Sequence, residues 1–251
     1  MFYIVGLGSG FLKDITVKGL EIVKKCDKVL LEGYALTEGQ ENLEVFYGRP
    51  VIVVDRELCE SNIDNILKEA IHTEVALLVY GDPLDATTHT DMLLRAKKLG
   101  VETKIIHNLS IMNRVSCCGL KFFDFGNIVS IPLWTETWKP SSFFYKIVDN
   151  FSRNLHSFCV LDIRADGCTE QMLVSEAASQ LVQIIEAHQN SDITQSTLVV
   201  ALSHVAADNK KIIARSLGEM QNYNGPTVQS LVIPAPILHP RERAYIRYYS
   251  S

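Results

Sequence analysis

The sequence predicts two α/β domains, and three observations lead to that expectation. Short runs rich in Val, Ile and Leu alternate with amphipathic stretches over the first 110 residues, the rhythm of repeated strand–helix–strand units around a parallel sheet. Beyond that point the strand runs lengthen and the helices thin out, which implies a second domain built on a mixed sheet. Hydrophobic residues at 47% and charged residues at 21% are proportions of a chain that folds around packed cores. The expected division is 1–110 and 111–251, joined near Leu109–Ile111, with a ligand cleft between the two domains.

In chain order, the first five strands are expected at Phe2–Leu7, Lys28–Gly33, Val51–Asp55, Val75–Tyr80 and Glu102–Ile106. Each is apolar on both faces, as a sheet covered on both sides requires. Ser61–His72 carries Ile63, Ile66, Leu67, Ala70 and Ile71 at helical spacing, with Ser61 as its N-cap. Thr88–Leu99 reads as a helix ended by Gly100. In the second half, Leu109–Cys118 reads as helix and Asn127–Trp134 as strand. Pro140 is placed at N1 of a helix whose face is Phe143, Phe144, Ile147, Val148 and Phe151. His156–Ile163, Thr197–Val205 and Val228–Ile233 are further strands, and Val174–His188 is a helix. Asn209–Met220 fits strand and helix equally, and the polar Arg164–Gln171 reads as an exposed loop.

Composition excludes several classes of function. A formal net charge of −5 offers no basic face for a phosphate backbone, so no nucleic-acid partner is expected. The apolar opening run is too short for a signal peptide or a membrane span, so no membrane partner is expected either. The six cysteines (Cys26, Cys59, Cys117, Cys118, Cys159 and Cys168) form no CxxC pair. A reduced, cytoplasmic protein without a metal site follows, with Cys26 and Cys159 acting as small hydrophobes.

Two glycine turns carry the chemical signal. Gly6-Leu-Gly8-Ser-Gly10 follows the first strand, where glycine lets backbone approach a ligand or adopt positive φ. It is GxGxG rather than the GxGxxG dinucleotide pattern. Glu32 nevertheless ends the second strand near where a ribose-binding acid would fall, so NAD binding and a turn that simply needs glycine both stay open. Tyr80-Gly-Asp-Pro-Leu-Asp-Ala-Thr-Thr-His89 is the second turn. There Asp82 is expected to project a carboxylate into the cleft, and Thr87, Thr88 and His89 either cap the next helix or meet a ligand. Ser110 can serve a ligand and cap a helix at once. Trp134 and Trp138 are either core or substrate wall. Ser9 has no GxSxG elbow around it, and no HExxH or P-loop is present.

Taken together and in order, several segments resemble the diphthine synthase family. They are Tyr3–Gly10, Asp14–Leu20, Gly81–Pro83, Ala86–His89, Ile106–Asn108, Ser110–Asn113, Trp134–Pro140, Leu161–Ile163 and Ala206–Asp208, and Cys117–Leu120 looks like its eukaryotic branch. The resemblance implies a two-domain tetrapyrrole methylase-like (class III methyltransferase) fold with S-adenosyl-L-methionine in the inter-domain cleft, S-adenosyl-L-homocysteine as product, and a homodimer. It also implies the substrate, the 3-amino-3-carboxypropyl-histidine of translation elongation factor 2, methylated on its amine and, in the eukaryotic branch, on its carboxylate. Cofactor contacts implied by matching segments are Ser9, Asp82, Asp85, Ser110, Ile111, Leu161, Val205 and Gln229; no proton acceptor is implied. Asp85 stands where the family usually has glycine, Gln229 where it has histidine, and Val232-Ile-Pro-Ala-Pro236 replaces a glycine-containing stretch. The segment after Ile163 is shorter than is usual in the family. Those departures keep two alternatives open: a catalytically weakened paralogue that binds elongation factor 2, or a class III methyltransferase with another substrate.

Overall fold

The computed structural model describes residues 1–8, 12–33, 40–85, 87–165, 169–188, 192–205, 210–225 and 229–250. The chain divides into two compact units, Met1–Asn113 and Arg114–Ser251.

The first unit holds a five-stranded, wholly parallel sheet in the order β3-β2-β4-β1-β5. Its strands are β1 (Phe2–Gly6), β2 (Lys28–Glu32), β3 (Ile52–Val54), β4 (Val75–Val79) and β5 (Thr103–Ile106). Alternation along β1 shows why the runs are continuously apolar. Tyr3 and Val5 enter the core on one face with Ile22, Val23 and Leu43, while Phe2 and Ile4 enter the other with Ile63, Leu67 and Met92. Helix α1 (Val17–Lys25) starts where Thr16 Oγ1 accepts from the Gly19 amide at 3.0 Å. Helix α2 (Gln40–Tyr47) follows β2.

The single helix expected over Ser61–His72 is instead two short ones, α3 (Arg56–Glu60) and α4 (Asp64–Glu69). Asp55, not Ser61, is the side-chain N-cap, accepting from the Leu58 amide at 2.8 Å, and Ser61 is the C-cap of α3. The break is held open by Arg95 of α5 (Thr87–Lys98), whose guanidinium donates to the Glu60 and Ser61 carbonyls at 3.0 and 3.2 Å. Most of the apolar spacing survives the break: Ile63, Leu67 and Ala70 remain in one core with Ile66 packed against it, whereas Ile71, beyond the end of α4, is exposed. Gly100 has φ +71, as a left-handed helix end requires. Helix α6 (Ile111–Val115) continues as a 3-10 turn over Ser116–Cys118, and the expected helix from Leu109 is shortened to that extent.

The second unit has the mixed sheet its sequence suggested, in the order β11-β10-β12-β7-β6. Its strands are β6 (Val129–Ile131), β7 (Ser157–Leu161), β10 (Leu198–Ser203), β11 (Lys211–Ser216) and β12 (Gln229–Ile233). The β6–β7 pair is parallel and the others are antiparallel. Helices α7 (Ser142–Ser152), α8 (Val174–Ala187) and α9 (Leu217–Met220) bury Phe143, Phe144, Ile147, Leu181, Leu217 and Met220 against Val199, Ala201 and Leu231. Pro140 is not at N1 of α7, because Ser141 is its N-cap. The stretch read as a loop from Arg164 pairs instead as β8 (Ile163–Ala165) with β9 (Thr169–Gln171), in a separate two-stranded sheet. Without apolar alternation, that hairpin leaves no pattern to read. The ambiguous Asn209–Met220 segment is strand β11 running into α9, whose start is capped by Ser216 accepting from the Glu219 amide. Helix α10 (Pro240–Arg247) closes the unit. No helix among the described residues is long and apolar enough to cross a membrane.

Candidate functional site

The carboxyl ends of β4, β1 and β5 lie side by side, and the turns that leave them are knit into one hydrogen-bonded group. Carboxyl ends of parallel strands are where open α/β sheets bind ligands. Leu7 N donates to Val79 O at 2.8 Å, Gly8 N to Gly81 O at 3.1 Å, and Gly81 N back to Gly8 O at 2.8 Å. Gly6 and Gly8 are both required by the geometry. Gly8 has φ +65, and a Cβ on Gly6 would stand 2.6 Å from Gly81 O and 2.9 Å from Pro83 Cδ.

Asn108, just beyond β5, ties the third turn to the first. Its Nδ2 donates to Gly6 O and Asp14 O, both at 2.9 Å, and its Oδ1 accepts from the Leu109 amide at 2.8 Å. The Asp82 carboxylate is turned into this network rather than projecting freely. Oδ1 accepts from Leu84 N at 2.9 Å, while Oδ2 accepts from Asn108 N at 3.1 Å and from His107 Nδ1 at 2.8 Å. Burial alone would raise the Asp82 pKa, but these N–H donors outweigh it and hold the carboxyl below its ordinary value. Asp82 therefore organises the turn, and Asn108 and His107 are the partners that sequence spacing did not reveal.

Asp85 sits in the turn closed by its own amide donating to Asp82 O at 3.0 Å, and its Oδ2 faces Asp82 N at 3.4 Å. It is absent from the non-glycine residues with positive φ, so a side chain is accommodated there without left-handed strain. Ser110 starts α6. Its Oγ accepts from Met112 N at 3.1 Å, and the Asn113 side chain accepts from Ser110 N at 3.1 Å. Ile111 begins that helix. Ser9 lies outside the described residues.

Glu32 is not placed as a ribose ligand. It is 3% exposed and bonded at 2.7 Å to His89 Nε2, while His89 Nδ1 lies 2.7 Å from Pro83 O. Burial pulls the His89 pKa down, but the Glu32 carboxylate and the Pro83 carbonyl outweigh it, and the net shift is upward. His89 is thus neither a surface cap nor a bare ligand.

In the second unit the register gathers three expected positions at one sheet end. Ser203 pairs with Gln229 and Ser230 with Val160, so Leu161, Gln229 and Ser203 fall in one row. Val205 follows β10 two residues later and is half-buried. Beside it His204 adopts φ +46, unfavourable for a residue with a Cβ, and its Nδ1 is buried without a hydrogen-bond partner. Buried polar atoms are normally satisfied, so an orphan at a strained position fits a polar ligand. Trp134 packs against the core with Nε1 donating to Pro140 O at 3.0 Å, whereas Trp138 is exposed.

Elsewhere, Asp124, His156 and Glu242 place ligand atoms within 4.8 Å of one another. Their atoms are already engaged. Glu242 accepts from Lys121 N and His239 N, both at 2.8 Å, and His156 Nδ1 accepts from Ala235 N at 2.9 Å, which leaves Nε2–H facing Glu242 at 3.3 Å. Burial holds His156 toward its neutral form. This cluster joins three backbone segments. Burial also pushes the thiols of Cys118 and Cys159 up to about 12, so both stay protonated and unreactive. Cys168 lies outside the described residues.

Comparison with known proteins decides the family. The tetrapyrrole (corrin/porphyrin) methylase model matches residues 1–221. The chain belongs to the tetrapyrrole methylase family. Among its relatives, this methylase is 44% identical to the diphthine methyl ester synthase of Homo sapiens, over 100% of this chain and 95% of that one. A solved Entamoeba histolytica structure assigned to the diphthine synthases superposes with a TM-score of 0.91 at 38% identity, covering 100% of this chain and 98% of that chain. A crystal structure of diphthine synthase gives a TM-score of 0.88 at 29% identity, covering 99% and 95%. This tetrapyrrole methylase is a methyltransferase of the diphthine synthase type.

Proposed function

We propose that the chain is an S-adenosylmethionine-dependent methyltransferase of diphthamide biosynthesis. In this reading it methylates the 3-amino-3-carboxypropyl group carried by a histidine of translation elongation factor 2, first on the amine and then on the carboxylate. The observation that carries it is 44% identity, over essentially the whole of both chains, to a protein named diphthine methyl ester synthase. It acts in the cytoplasm as a homodimer.

The residues present fit the cofactor. Asp82, Asp85, Ser110 and Ile111 belong to the turns knit to the glycine loop, with Ser9 carried by the resemblance. Leu161 and Gln229 share a row at the sheet end where Val205 and the orphaned His204 Nδ1 lie. S-adenosylmethionine supplies a methyl group on a sulfonium, from which it is displaced in line, so positioning accounts for much of the rate. The chain's part is to hold rigid backbone against the ligand, with Asn108 and Asp82 fixing the turns beforehand. The substrate amine must be deprotonated to attack.

Titration calorimetry tests the reading. S-adenosylmethionine or S-adenosylhomocysteine binds at one site per chain and NAD does not. Absence of binding by both S-adenosyl ligands overturns it.

A further inference from the structure

We propose that Glu32 and His89 form a buried clamp that holds the Gly81–Pro83 turn in place and so sets the affinity for the S-adenosyl ligand. The inference rests on the function proposed above and goes beyond it by assigning positioning residues outside the implied contacts. Both residues are 3% exposed. Glu32 ends β2 and His89 lies in the first turn of α5, so the pair ties a neighbouring strand to the helix that follows the turn.

The hydrogen-bond chemistry fixes the direction of the clamp. A carbonyl oxygen only accepts, so His89 Nδ1 must carry the proton that meets Pro83 O at 2.7 Å. Pro83 has no N–H, which makes that carbonyl its one backbone polar group. Nε2 is fixed by Glu32 Oε1 at 2.7 Å. Pro83 in turn leaves no room for a Cβ on Gly6, and Gly81 exchanges both backbone hydrogen bonds with Gly8. Movement at Pro83 therefore moves the glycine loop. An apolar pair could fill the same space with equal or better stability, since buried ion pairs add little net stability. What an apolar pair could not do is grip the Pro83 carbonyl.

Two isosteres separate positioning from bulk stability. The Asn amide nitrogen occupies the place of Nδ1, and the Gln amide nitrogen that of Nε2. His89→Asn therefore keeps the grip on Pro83, while His89→Gln keeps only the contact to Glu32. With wild-type protein binding S-adenosylhomocysteine as the control, His89→Gln weakens the dissociation constant at least tenfold. His89→Asn stays within threefold, although both variants lose similar amounts in melting temperature. Equal weakening in both, or none in His89→Gln, overturns the clamp while leaving the proposed function standing. A wild-type protein that does not bind overturns the function itself. If neither His89 variant folds, Glu32→Gln and Glu32→Ala carry the comparison. Glu32→Gln, whose amide can donate to Nε2, retains affinity and Glu32→Ala loses at least threefold; equal affinities overturn the clamp.

Discussion

Replacing Asn108 by alanine removes the three hydrogen bonds that tie the end of β5 to Gly6 O, Asp14 O and the Leu109 amide. Each such bond contributes a net 0.5–1.5 kcal/mol or so, and water can reach part of this site, so the expected loss is about 2–3 kcal/mol. For a protein of this size each kcal/mol lowers Tm by roughly 2–4 °C, which places the shift at about 4–12 °C. The ligand effect is separate. Freed from Asn108, Gly6 and Asp14 must be fixed again when the ligand binds. At about 1–2 kcal/mol per residue fixed, ordering these two residues costs about 2–4 kcal/mol and weakens S-adenosylhomocysteine at least tenfold. Differential scanning fluorimetry and titration calorimetry read the two effects independently. A variant melting within 2 °C or so of wild type and binding within about threefold would refute the idea that Asn108 organises the site.

Other perturbations have equally definite outcomes. Gly6→Ala drives a Cβ to 2.6 Å from Gly81 O, so binding of S-adenosylhomocysteine should fall more than tenfold, and wild-type affinity would contradict the packing. Because donors hold the folded Asp82 pKa below its ordinary 3.8, Asp82 contributes stability above about pH 4 that is lost as pH falls through the lower folded value. Asp82→Asn should therefore flatten part of the acid limb of the Tm–pH profile, and an unchanged limb would count against the network. Glu242→Ala leaves the partly buried Lys121 and His239 amides without their carboxylate acceptor, at a cost of about 2–4 kcal/mol in chemical denaturation, and a loss below about 1 kcal/mol would show these bonds to be dispensable.

The centre of the parallel sheet could be read because both its faces are buried, so β1, β2 and β4 announce themselves as unbroken apolar runs, whereas the edge strand β3 leaves Ile52 and Val53 exposed. Most of the mixed second sheet was visible too, although the segment of β11 fitted strand and helix equally. Interactions that cross the chain were not. The break between α3 and α4 depends on Arg95, 35 residues beyond Glu60, and no local pattern encodes it. The glycine turns marked the correct region, but the side chains that shape it act over sequence separations of 57 residues for Glu32–His89 and 102 for Asn108–Gly6. Asp82 was expected to be available because a carboxylate after a glycine turn suggests a ligand, and its orientation is set by amides that spacing cannot show. Asp85 was singled out as a departure from its family, and the turn around it accepts a side chain because its φ is not positive.

Mass spectrometry of elongation factor 2 bearing the aminocarboxypropyl histidine, incubated with this protein and S-adenosylmethionine, decides whether the chain methylates both the amine and the carboxylate. Four methyl groups are gained on that residue, one of them lost on mild alkaline treatment as an ester is. No methyl gain from a protein that binds S-adenosylmethionine would contradict this activity.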